Sequence, residues 1–181
     1  DLNWDLPSST EIHFFASIGS FVGSDILAGI AATKMAARKE FSILIDLGTN
    51  GEIVVGNRDK IICASTAAGP AFEGAKISQG MRATTGAISS VTVEKEKLKS
   101  HVIGNVTAKG ICGSGLIDVI AILLEQEKIA MFGEFNSGES QIQITPEVFL
   151  TQQDIREFQL AKAAISTGVQ ILLNQLKISY D

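Results

Sequence analysis

The stretch Phe41 to Asn57, FSILIDLGTNGEIVVGN, constrains this chain more than any other. One apolar run ends in a carboxylate, Asp46. A second leaves a Gly-rich turn, Gly48-Thr49-Asn50-Gly51. Asn-Gly between two such runs is a strong hairpin signal, because both residues tolerate a positive φ. The order is therefore strand, turn, strand. A Walker loop or a dinucleotide fingerprint needs strand, turn, helix with GxxxxGK[ST] or GxGxxG, and neither spacing occurs here.

The flanking sequence places that hairpin in a layered α/β fold. Ile12 to Ala16 reads as a short strand. Ser24 or Asp25 then caps a helix to about Arg38, whose apolar face is Ile26, Leu27, Ile30, Ala31 and Met35. Lys60 to Ala64 supplies a third strand, so the hairpin extends to an antiparallel meander. Ser65 to Ala75, STAAGPAFEGA, is a loop of small residues. Gly86 to Glu94 and His101 to Val106 read as strands around a charged tip. Gly110 to Gly115, GICGSG, is a second Gly-rich turn, here opening a helix from Leu116 to about Glu127, and a short strand fits at Ile142 to Ile144. The last helix starts at a capping box, Thr151 to Asp154, and keeps Ile155, Phe158, Ala161, Ile165, Val169, Leu172 and Leu176 on one face. Meander, helix, insertion and helix make a mixed α/β layer rather than a sandwich. Residues 1–10 read as a linker and 11–181 as one lobe.

At 181 residues the chain buries roughly two-thirds of its unfolded surface. A net charge of −5 with no basic stripe argues against nucleic acid, and the apolar runs are too short for a membrane span. Cys63 and Cys112 are far apart and form no zinc or iron–sulfur pattern, which fits a reducing cytoplasm. A start at Asp1 suggests a piece of a longer protein or a processed terminus.

Asp46 is costly to bury alone, and a cation would offset that cost. Mg²⁺ suits it, because magnesium takes one or two carboxylates together with phosphate oxygens and waters. The same residue can equally just shape the turn. Gly48 and Gly51 admit a close ligand, consecutive amides there can form an anion nest, and Thr49 and Asn50 add side-chain donors; a plain tight hairpin gives the same pattern. Glu52 can orient water or steady a metal ligand, or simply face solvent. Gly113, Ser114 and Gly115 lie where a helix N-terminus meets a phosphate or ribose, or where Ser114 caps the helix. Cys112 fits a buried small hydrophobe better than a nucleophile. Glu73 can serve a metal, an inter-lobe contact or a cap. Arg82 can meet a phosphate, though a structural ion pair suits it better.

Together the segments GSFVGSDILAGI (19–30), LIDLGTNGEIVVGN (44–57), STAAGPAFEGA (65–75), GMRATTGAI (80–88), GICGSGLIDVIAILL (110–124) and DIREFQLAKAAISTGVQILL (154–173) resemble one family in order and spacing. It is the C-terminal ATPase region of the reductive activators of corrinoid proteins, in the superfamily of actin, the heat-shock chaperone ATPase and the sugar and acetate kinases. The resemblance implies an RNase H-like, actin-like lobe with a mixed sheet, an antiparallel meander and flanking helices. It makes Asp46 to Glu52 a phosphate hairpin, with Asp46 as the metal residue, and Gly113 to Gly115 a ribose or phosphate turn. ATP and Mg²⁺ are the implied ligands. The family's first-lobe Asp-x-Gly-Thr hairpin, its Ala-Gly-Gly-Phe-Gly adenosine loop and its ferredoxin cysteines do not occur in this sequence. The chain thus reads as one lobe, truncated before the adenosine loop, with any 2Fe–2S cluster in a separate N-terminal part.

The implied activity is an ATPase that, in a longer protein, drives uphill one-electron reduction of cobalt(II) on a corrinoid protein partner. The isolated lobe is expected to be inactive, since phosphoryl transfer needs the phosphates clamped from several sides. The alternatives are a non-catalytic module for partner binding or homodimer formation, and a lobe of a small-molecule kinase.

Overall fold

The structure, a computed structural model, describes residues 5–19, 22–95, 97–136 and 138–179. Its first layer is the expected meander. β1 (Ser42–Leu47), β2 (Gly51–Gly56) and β3 (Ile61–Thr66) pair antiparallel in that order, in the register Ile45↔Ile53 and Val54↔Cys63. Alternation along a strand sends successive side chains to opposite faces. Leu44, Val54, Ile61 and Cys63 therefore meet Ile26 and Ile30 of α1 (Ser24–Ala32), with Val22 just before the helix. Ile53, Val55, Ile62 and Ala64 meet α4 (Gln152–Leu176) through Val169, Leu172 and Leu173. Ile53, Val54 and Val55 are fully buried, because β2 is central and covered on both faces. Each such side chain contributes about 1.5–3 kcal/mol of burial energy.

A second sheet has the order β5-β4-β6. β4 (Ala87–Glu94) pairs antiparallel with β5 (Lys97–Val102) and parallel with β6 (Gly110–Ile111), so the mixed pairing lies here. α3 (Gly113–Glu125) packs on it through Leu116, Val119, Ile120 and Leu123, and β7 (Gln141–Gln143) and β8 (Phe149–Thr151) close the same core with Val148 and Leu150. A one-turn helix, α2 (Gly69–Phe72), bridges the two layers: Ala68 and Ala71 pack on Ala161 of α4.

The capping box at α4 forms in full. Thr151 Oγ1 accepts from the Asp154 amide and the Asp154 carboxylate accepts from the Thr151 amide at 2.8 Å. Asp154 is completely buried, and it also accepts from the amide and hydroxyl of Ser78 at 2.6 and 3.0 Å.

Several local expectations change. Ile12 to Ala16 forms no strand; Ile12, Phe14 and Phe15 are exposed and join no ladder among the described residues. The first helix ends at Ala32 rather than near Arg38. Thr33 bonds back to the Gly29 carbonyl at 2.8 Å, Lys34 is left-handed at φ 54°, and only a 3₁₀ turn, Met35–Ala37, follows. The strand expected at His101 to Val106 is Lys97–Val102. The lysines read as a tip are its solvent face, alternating with Leu98, Ser100 and Val102. Lys95 at φ 50° makes the reversal; Glu96 lies outside the described residues. The strand at Ile142 to Ile144 is Gln141–Gln143. The loop at 65–75 holds the last residues of β3 and α2. Cys112, not Ser114, occupies the N-cap of α3, and the Ser114 hydroxyl donates to the Ser89 carbonyl at 2.7 Å. Of the linker expected at 1–10, residues 1–4 lie outside the described residues, and 5–10 are exposed.

Candidate functional site

The hairpin turn is residues 48–50, since Leu47 and Gly51 already pair. None of these residues has a positive φ, so the Asn-Gly signal identifies the hairpin without its expected backbone geometry. The Gly48 amide donates across the turn to the Asn50 carbonyl at 3.0 Å. Among the described residues the amides of Thr49 and Asn50 have no acceptor.

Strand parity decides which side of the sheet carries chemistry. Asp46 alternates with Leu44, and Glu52 with Val54, so both carboxylates lie on the α1 face. They stand directly opposite each other in the ladder. The Ser65 hydroxyl donates to Glu52 at 3.3 Å. A cleft of about 350 Å³ opens there, lined by Asp46, Gly48, Thr49, Asn50 and Glu52 and, from the start of α1, by Asp25. Asp25 was legible only as a helix-start acid; its place in the cleft comes from the packing of α1 on the meander. None of the described lining residues is basic. The described residues hold no group of three or more His, Cys, Asp or Glu close enough to bind a metal alone. That donor chemistry suits a cation that brings phosphate oxygens and waters with it, as Mg²⁺ does.

Gly51 belongs to the other face. A Cβ there would lie 2.1 Å from Ile165 Cδ1 on α4, so its missing side chain serves packing rather than the cleft. Behind the turn, α2 fits so closely that a Cβ on Gly69 would lie 1.4 Å from the Thr49 carbonyl oxygen. The Thr49 hydroxyl donates to Glu73, the residue that ends α2, at 2.5 Å.

Gly113, Ser114 and Gly115 form the start of α3 and are not part of this cleft. Gly113 and Ser114 border a second one of about 440 Å³, with Leu47, Phe72, Glu73, Met81 and Arg82. The Thr49–Glu73 bond lies between the two. A Cβ on Gly113 would be 2.5 Å from the Phe72 carbonyl, and one on Gly115 would be 2.3 Å from the Ile88 carbonyl, so both glycines seat α3 against its neighbours. Arg82 is exposed and forms no ion pair among the described residues, contrary to the structural pairing expected. Cys112 is buried with its thiol toward the Ile88 carbonyl, a packing role.

Comparison with known proteins agrees with this architecture. Residues 40–181 match the family model described as the C-terminal domain of RACo, the ASKHA domain. The chain is 40% identical to the corrinoid activation enzyme RamQ of Eubacterium limosum, over 92% of its own length and 32% of that protein's. It is 32% identical to the [Co(II) methylated amine-specific corrinoid protein] reductase of Methanosarcina barkeri, over 96% of its length and 36% of that protein's. A solved reductive activator for corrinoid, iron-sulfur protein superposes with a TM-score of 0.77 at 35% identity, covering 91% of this chain and 30% of the other. The chain thus spans about a third of the length of these relatives. The match over most of the sequence and the shared actin-like α/β fold lead to one conclusion: this chain belongs to the RACo C-terminal ASKHA-domain family.

Proposed function

We propose that this lobe holds the phosphate tail of Mg-ATP in the acidic cleft, as one part of an ATP-dependent activator that drives one-electron reduction of cobalt(II) on a corrinoid protein. The observation that carries the reading is the opposition of Asp46 and Glu52 beside the free amides of Thr49 and Asn50. Like charges face to face across a ladder are unfavourable without a cation between or beside them. ASKHA folds in general bind nucleotide with Mg²⁺, and the similar proteins are corrinoid activators.

In this arrangement Asp46 holds the magnesium, directly or through water. Gly48 leaves the turn open on its cleft side, where a Cβ would meet only Asp46 at 3.9 Å. The Thr49 and Asn50 amides donate to phosphate oxygens, and Glu52 orients water on the metal. The bound ion neutralises phosphate charge; the residues of this chain position it. Gly113 and Ser114 offer helix-start amides to another part of the ligand through the second cleft. A 2Fe–2S cluster does not fit this chain, whose only cysteines, on β3 and at the start of α3, cannot supply its ligand set. ATP acts by closing lobes around the cleft, so that the complex changes shape.

Isothermal titration with ATP, with and without Mg²⁺, tests the site. Magnesium-dependent binding that Asp46→Ala removes supports it, and undiminished binding by that variant refutes it. In the longer protein the same substitution abolishes ATP-dependent cobalt reduction.

A second reading is a partner-binding module. It draws on an apolar groove of about 240 Å³ between α3 and α4, beside exposed Met131 and Leu124.

A further inference from the structure

The Thr49 hydroxyl has one proton, and that proton is committed. It points to Glu73 at 2.5 Å, the short distance typical of a hydroxyl donating to a charged oxygen. A hydroxyl carries one donor and two acceptor lone pairs. With the proton committed to Glu73, lone pairs are all that this hydroxyl has left to offer at the acidic cleft that Thr49 lines. Lone pairs repel phosphate oxygens and attract cations. Glu73 itself borders the second cleft, behind the turn, and α2 holds it there because Gly69 leaves no slack against the Thr49 carbonyl.

We propose that Glu73 is a positioning residue that sets the polarity of the Thr49 hydroxyl, making it an oxygen ligand for the magnesium of a bound nucleotide or for that ion's water, and not a hydrogen-bond donor to the phosphates. The inference rests on the ATP site described above. It divides labour within the turn. The main-chain amides of Thr49 and Asn50 take the anion, and the Thr49 side chain takes the cation. It also explains why a carboxylate that is not on the cleft belongs to the site.

The test is ATP binding by calorimetry on the protein as its gene encodes it, with Mg²⁺ titrated at fixed ATP, and a parallel ATP titration in EDTA. Glu73→Ala frees the hydroxyl proton. It raises the magnesium concentration for half-maximal binding by about tenfold, the usual scale for removing a group that orients a metal ligand. Binding in EDTA stays the same or tightens. Glu73→Gln keeps a carbonyl acceptor and recovers most of the loss, to within about threefold of wild type. Thr49→Val reproduces Glu73→Ala, and the double variant is no worse than Thr49→Val, because the two side chains act as one unit. Should Glu73→Ala fail to fold, Thr49→Val and Thr49→Ser at the exposed turn keep the test open, with only valine expected to shift the magnesium midpoint. An unchanged midpoint in Glu73→Ala or Thr49→Val overturns the proposal and leaves the ATP site standing. So does equal impairment of Glu73→Gln and Glu73→Ala, which would mean that charge matters and not the accepted proton. A wild-type protein that binds no ATP, with or without magnesium, overturns the ATP site and this inference together.

Discussion

Asp46 and Glu52 face each other across the first two strands, two carboxylates in one register pair with their side chains on the same face of the sheet. Directly opposed like charges cost a sheet roughly 0.2–1 kcal/mol. Asp46 is exposed and Glu52 half-buried, so water screens part of that cost, and a cation at the cleft mouth would turn the remaining repulsion into shared attraction.

Asp46→Asn therefore separates function from stability. The amide removes one of the opposed charges, so the metal-free protein should be about 0.5 kcal/mol more stable. The magnesium-dependent gain in melting temperature on adding ATP should disappear. Denaturant melts with and without Mg-ATP measure both effects. A variant that is less stable without ligand and still stabilised by Mg-ATP would contradict the cation role.

Gly69 sits behind the turn with its missing Cβ 1.4 Å from the Thr49 carbonyl oxygen. Gly69→Ala must push that oxygen and the turn outward. Overpacking at such a contact costs about 1–3 kcal/mol. Displacing a binding turn by an ångström costs up to about a hundredfold in what it does. The expected result is a folded, weakened protein with at least about tenfold lower affinity for Mg-ATP, read by melting and by titration. Normal affinity would mean that the turn is not the binding element.

The sequence made the meander, the mixed α/β character and the last helix legible, because each rests on local chemistry. Asn50-Gly51 announces the hairpin, alternation announces the strands, and Thr151 with Asp154 announces the cap. The failures are also physical. Ile12 to Ala16 has the composition of a strand but joins no sheet among the described residues. Lys97 and Lys99 read as turn charges, although they are the wet side of a two-residue alternation. Asp46 and Glu52 could be nominated from the hairpin. Asp25 could not, because it reaches the cleft only through the packing of α1 on Leu44 and Val54. Gly51 looked like a ligand-facing glycine because sequence does not say which side of a strand a helix will cover; the structure gives that side to Ile165.

Asp154 joins distant parts of the chain: its carboxylate takes the amide and hydroxyl of Ser78 and the amide of its own cap, Thr151. Asp154→Ala leaves these donors to a buried site without a partner. Stability should fall by about 2–4 kcal/mol, combining a lost cap with unsatisfied donors. Asp154→Asn keeps one acceptor oxygen and should lose less. Urea melts rank the variants. Because the residue is far from the turn in function, magnesium-dependent ATP affinity of the folded fraction should be unchanged.

β1 is the edge of its sheet among the described strands, and it leaves a row of apolar side chains uncovered. Phe41, Ile43, Ile45 and Leu47 are between 40% and 46% exposed, on the face where α4 covers the two neighbouring strands. An open strand edge beside an apolar row is a template for pairing with another strand. The 181-residue chain on its own should therefore self-associate as its concentration rises. Ile45→Lys puts a charge in the middle of the row, a device that natural edge strands use against such pairing. It should return the chain to a monomer in sedimentation velocity, at a folding cost of no more than about 1 kcal/mol because the position is already half in water. If the wild-type chain stays monomeric at high concentration, this edge is not sticky.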